Sequence, residues 1–176
     1  MTPTDLQTLL LSVAQARARQ VNVARLMRRW QQDRFVRPAV ADPRKLASLN
    51  ARLWDLLPVE FAGIVLAPVA PLGTCGAVAA VEQNWIVSTV RGSEVVSDPS
   101  NVLAIEAAHR RQRTDDEVHL ASCHRALRGQ RFDDPDALAH FELLTLVSSG
   151  HDHGGHRTEL GFLEFHLRTW SRLLSA

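Results

Sequence analysis

Leu6, Leu9, Leu10 and Val13 recur at the three- and four-residue spacing that places side chains on one face of a helix. Ahead of them, Thr4-Asp5-Leu6-Gln7 reads as a capping box, a hydroxyl N-cap with Gln three residues on. The pattern slips at Gln20-Val21-Asn22, where Asn22 is placed to cap a second helix carrying Leu26, Met27 and Trp30. Residues 34–42 read as a connector, because Pro38 has no backbone donor to give a helix or ladder. Asp42-Pro43 then opens a third helix with proline in its first turn. Its apolar face is Leu46, Leu49, Leu53, Leu56 and Leu57, and Pro58 ends it.

After Pro58 the period changes. Residues 61–71 form a mostly apolar run with Pro68 and Pro71 at its far end, which predicts a strand leaving its sheet. Gly73 and Gly76 mark a turn, and residues 77–81 and 84–90 read as short β segments, the second holding Trp85, Ile86, Val87 and Val90. Asp98-Pro99-Ser100-Asn101 is a helix entry leading to Val102, Leu103, Ile105 and Ala108. Residues 118–127 and 141–148 are strand candidates, with the turn-rich Asp133-Asp134-Pro135-Asp136 between them. A loop covers 149–156. From Thr158 a last helix carries Leu160, Leu163, Leu167, Trp170, Leu173 and Leu174 at periodic positions. The connections near residues 82–84 and 128–140 are too short for helical crossovers. The expected class is therefore α+β, a mainly antiparallel sheet flanked by helices.

At 176 residues, 45% hydrophobic and 22% charged, the chain has the composition of an ordinary soluble globular protein, which excludes disordered, collagenous and fibrous classes. Two cysteines, Cys75 and Cys123, build neither a disulfide framework nor a cysteine-based zinc cluster and suit a reducing compartment. The N-terminus shows no signal-peptide pattern, and no apolar run approaches the roughly 20 residues of a membrane span. A cytoplasmic location is expected.

Charge divides the chain. Residues 1–52 hold ten Lys or Arg against three Asp or Glu, and the remaining residues hold ten against sixteen. This predicts a basic helical arm over residues 1–41, followed by an α+β domain over 42–176. The arm could meet phosphates, the body of its own chain or a second copy. With no recognisable nucleic-acid motif, a solvated helix face is the favoured reading, and contact with RNA stays open.

Three segments could carry chemistry. His151, Asp152, His153 and His156 lie within six residues and resemble ligands for zinc or another borderline metal. Gly154 and Gly155 between them favour a mobile polar loop instead, so no metal ligand is assigned. Around 122–131, Arg128 and Arg131 could hold a phosphate, or could pair with Asp133, Asp134 and Asp136. Cys123 beside His124 does not make a nucleophilic pair there, because adjacent strand residues point to opposite faces. Finally, Arg91 and Glu94 could bind the carboxylate and ammonium of an amino acid, or each other.

Taken in order, these segments resemble the catalytic core of a class II aminoacyl-tRNA synthetase, nearest the phenylalanine- and phosphoserine-type enzymes. The family's first motif, a long helix and a strand ending in proline, is similar to residues 42–57 followed by Phe61-Ala62-Gly63-Ile64-Val65-Leu66-Ala67-Pro68. The resemblance implies a homodimer built on that motif. Residues 89–101 resemble the segment that leads into a helix beneath the active site. Leu127-Arg128-Gly129-Gln130 and His140-Phe141-Glu142 resemble the second motif. By that resemblance Arg128 contacts the α-phosphate of ATP, Phe141 stacks on adenine and His140 sits near the phosphates. Gln130 stands where the family has an acid, which removes a charge. The third motif, Gly-x-Gly-x-x-Arg, finds no counterpart before Ala176.

The resemblance thus implies a truncated synthetase-like protein that does not charge tRNA alone. It would bind an amino acid or nucleotide-like ligand, or form an acyl or amide bond in another reaction. Arg128, Gln130 and His140 are its catalytic candidates, and Arg91, Glu94, Arg128 and Phe141 its ligand-binding ones. An interaction or regulatory subunit completed by a partner chain is the second reading. A metal-dependent enzyme using residues 151–156 is the third.

Overall fold

The computed structural model describes residues 2–130, 133 and 137–175. Arg131, Asp134, Pro135 and Asp136, named above for a turn and its ion pairs, lie outside the described residues. Helices α1 (Pro3–Arg19), α2 (Val23–Gln32) and α3 (Pro43–Leu56) come first. They are followed by strands β1 (Phe61–Gly63) and β2 (Val69–Pro71), helix α4 (Thr74–Ala79) and a 3-10 turn at Gln83–Trp85. Strand β3 (Ser93–Val95), helix α5 (Pro99–Arg111), the ten-residue strands β4 (Val118–Leu127) and β5 (His140–Ser149), and helix α6 (Arg157–Leu174) complete the order. Among the described residues, no helix is long and apolar enough to cross a membrane. The class is α+β, as the pattern predicts.

Two compact units divide these elements. One comprises residues 40–67, 98–125 and 142–176. Its core is Leu103 and Ala107 of α5 against Val118 and Leu120 of β4, with Ile64, Leu66 and Val147 packed on them. Here β1 runs parallel to β4, pairing Phe61 with His119, Ala62 with Leu120 and Gly63 with Ala121. Sheet order is β1-β4-β5. A parallel pair needs a long crossover, and residues 64–117 with α5 supply it. The sheet is therefore mixed, with β1 and β4 as a parallel pair in it. Trp54 of α3 lies over β1, where a Cβ on Gly63 would meet its ring at 3.2 Å; glycine lets the helix approach.

The other unit comprises residues 1–39, 68–97 and 126–141. Antiparallel β2 and β3 pair Val69 with Val95, Ala70 with Glu94 and Pro71 with Ser93. Pro71 sits at a strand end, where a missing donor is harmless.

Several caps fall where the sequence places them: Asn22 accepts from Arg25 N–H, Asp42 from Arg44 N–H and Asp98 from Ser100 N–H. The first cap moves by two residues. Thr2, not Thr4, caps α1, and Asp5 at the third helical position returns the bond to the Thr2 N–H, with Pro3 between them. An acidic residue closes the box as well as Gln7 would, and Pro3 fits the first turn. The segments at 77–81 and 84–90 are not strands. Thr74–Ala79 is helical, and Gln83–Trp85 is a 3-10 turn followed only by a bridge from Ser88 to Glu94.

Candidate ligand site at Arg128 and Phe141

Arg128 leaves the end of β4 with its backbone N–H donating to the Ala139 carbonyl at 2.7 Å. Its guanidinium Nε–H donates to the Ser97 carbonyl at 3.1 Å, and its central carbon stands 5.1 Å from the centre of the Phe141 ring. A cation over an aromatic face is attracted to the ring's negative quadrupole. Arg128 and Phe141 thus share one surrounding, and both are half-buried.

The loop after β4 is held by a residue the sequence reading passes over. Arg34, in the connector after α2, donates to the Gly129 and Gln130 carbonyls. Its own central carbon lies 4.6 Å from the Phe35 ring. Gly129 N–H donates to the Trp85 carbonyl at 2.9 Å, so the 3-10 turn is tied to the same loop. The Gln130 side chain is exposed beside these contacts. His140 is held by the connector: its Nε2–H donates to the Arg37 carbonyl at 2.8 Å. A carbonyl only accepts, so Nε2 carries a proton there.

Glu94 and Arg91 are not brought together. Glu94 is fully buried, and its carboxylate receives Cys75 N–H at 2.9 Å, Gly73 N–H at 2.8 Å and the Gln83 amide at 3.0 Å. Burial pushes this carboxyl up. The bonds from Cys75, Gln83 and Gly73 outweigh it and hold the group below its ordinary value of 4.5. Glu94 serves as a remote cap for α4, whose N-cap Gly73 has no side chain to do so. Arg91 is exposed in the turn before β3 and takes part in no ion pair among the described residues.

In the loop before α6, His151 reaches Asp115 at 3.2 Å, and the Asp152 carboxylate accepts from Gly154 N–H at 2.7 Å. His156 is the left-handed N-cap of α6, 4.0 Å from Glu159. Among the described residues no three His, Cys, Asp or Glu side chains converge as a metal-holding group. Cys123 is pushed up by burial and then by the Glu142 charge, which disfavours thiolate.

No protein-family model and no curated protein matches the chain. Solved structures do. A pyrrolysyl-tRNA synthetase from Desulfitobacterium hafniense matches 86% of this chain at a TM-score of 0.59 and 14% identity. An ATP phosphoribosyltransferase regulatory subunit/histidyl-tRNA synthetase from Bacillus halodurans matches 77% at 0.55 and 14%. Histidyl-tRNA synthetase from Nostoc sp. PCC 7120 matches 73% at 0.51 and 14%. The fold is that of a class II synthetase core. This chain spans 50%, 36% and 30% of those three chains respectively.

Proposed function

We propose that the chain is a class II synthetase-like ligand-binding domain whose ligand is a nucleotide or an activated amino acid, held at Arg128 and Phe141. The observation that carries this reading is the guanidinium standing over the aromatic ring, its Nε fixed on the Ser97 carbonyl. A fixed cation beside a flat π surface suits a ligand that joins a phosphate to a planar base. The resemblance assigns the same two positions to the α-phosphate and adenine of ATP.

Adenylation stabilises a pentacoordinate phosphate with preorganised positive charge and metal. Gln130 gives that work no carboxylate, and Glu94 is committed to α4. Binding is therefore favoured over tRNA charging. Titration with ATP, ADP and a panel of amino acids tests the reading. ATP or ADP should bind, and Arg128→Ala or Phe141→Ala should weaken binding at least about tenfold, or about 1.4 kcal/mol. Absence of nucleotide binding by the full chain, or binding indifferent to both substitutions, overturns it.

A second reading is an interaction or regulatory subunit acting as a homodimer or on a partner chain. It is favoured by α1, α2 and α3, none of which buries a residue. The regulatory subunit among the solved structures supports the same direction.

A further inference from the structure

In the unit containing α6 there is a groove of about 700 Å³ that neither Arg128 nor Phe141 lines. Its apolar wall is Phe162 and Phe165 of α6. Phe165 stacks on Phe61 at 5.0 Å with planes 6° apart, and His119 meets Phe162 and Phe165 edge-on at 5.6 and 5.1 Å. Two carboxylates, Glu60 and Glu117, line the same space. Arg157 also lines the space, and its guanidinium donates to the His153 and Gly154 carbonyls, which ties down the loop before α6.

The wall is held rigid from behind. Glu117 stands 3.4 Å from His119 Nε2. The Ser148 hydroxyl shares hydrogen bonds with His119 Nδ1 at 2.6 Å and with His166 Nε2 at 2.7 Å. Ser148 is not on the groove wall. The chain orients His119 and presents no nucleophile to the groove.

Gly161 supplies an independent observation. It lies inside α6 and lines the groove, and a Cβ built on it would meet no atom within 4 Å. Glycine inside a helix is destabilising relative to alanine, and here no neighbouring atom requires it. What its bare position preserves is space in the groove.

We propose that this groove binds a small organic ammonium ion with an aromatic or apolar body. Two carboxylates against one guanidinium leave an excess of negative charge that a monocation balances, and ring faces attract the same charge. The body lies along Phe162 and Phe165 in the space beside Gly161, with the ammonium toward Glu60 and Glu117. This site shares no residue with the one at Arg128 and Phe141.

Calorimetric titration of the full chain with phenethylamine, and with phenylacetate as its anionic counterpart, tests the proposal. Phenethylamine should bind and phenylacetate should not. Glu117→Gln should weaken phenethylamine about tenfold, and Gly161→Trp should abolish binding by filling the groove. Gly161→Ala, read by circular dichroism alongside, shows that the helix tolerates a side chain, and Arg128→Ala should leave phenethylamine binding unchanged. No phenethylamine binding up to about 10 mM, equal binding of phenylacetate, or full binding by a folded Gly161→Trp variant overturns the proposal.

Discussion

Replacing Glu94 with Gln keeps the shape of the side chain and removes the charge on which Gly73 N–H, Cys75 N–H and the Gln83 amide converge. The amide nitrogen then faces a donor in a site with no exposed surface. Glu94→Gln should cost about 1–3 kcal/mol of unfolding free energy, read by urea denaturation at neutral pH. The native carboxyl is held below its ordinary 4.5, so its contribution is complete above that value and is lost as pH falls through the lower, folded value. The variant should show a flatter acid limb. His166 slopes the same way from higher pH. Burial, with His119 adding to it, depresses His166 below 6.5, so the unfolded chain takes up the proton first and stability falls as pH drops below 6.5. His166→Gln should remove part of the fall in Tm between about pH 7.5 and about pH 5.5. His124, also depressed by burial, remains to account for the rest. At Gly129 geometry decides instead: a Cβ there would lie 2.5 Å from the Trp85 carbonyl oxygen and 2.9 Å from its carbon. Backbone must move, and Gly129→Ala should cost about 2 kcal/mol or more by the same denaturation experiment.

At the scale of elements, legibility follows how local the decisive contacts are. Helices α2, α3 and α5 could be read because Asn22, Asp42 and Asp98 cap from within the segment they start. Strands β4 and β5 could be read because ten residues of β-prone side chains are long enough to dominate. Helix α4 could not. Its six residues, Thr-Cys-Gly-Ala-Val-Ala, have no side-chain cap of their own, and the carboxylate that caps them lies about twenty positions downstream. The turn at Gln83–Trp85 is tied by Gly129, from beyond β4. The same holds of the candidate site. Arg128 and Phe141 were nameable through the resemblance, whereas the Ser97 carbonyl that fixes Arg128, and Arg34 behind the loop, carry no signal in sequence. The groove at α6 was equally invisible, since Glu60, His119 and Gly161 are far apart along the chain. For α6 itself a simple measurement is available. Gly161→Ala removes a helix-interior glycine with no atom in the way, so the Tm should rise, by an amount corresponding to about 0.5–1 kcal/mol.

At the scale of the molecule, the question is what covers the apolar face of the first two helices. Leu9 is 52% exposed, Leu26 57%, Met27 53% and Trp30 51%, and these side chains recur at helical spacing on α1 and α2. Single exposed apolar residues need no explanation, but a run of them along two consecutive helices fits the interaction surface proposed above. The charge division agrees with a second copy as that protein: the first 52 residues are strongly basic and the remainder acidic. Association of that kind combines burial of the stripe with attraction between unlike surfaces, so it should weaken with salt without vanishing. Sedimentation velocity of the full chain should therefore show a dimer that persists in moderate salt. Leu9→Asp combined with Met27→Asp should shift the chain to monomer. Neither side chain is buried within the chain, so thermal unfolding measured at low protein concentration should change little. A wild-type chain that sediments as a monomer, or a variant that remains dimeric, would sink the interaction reading for α1 and α2. Either result would leave the ligand site at Arg128 and Phe141 to stand or fall on its own titration.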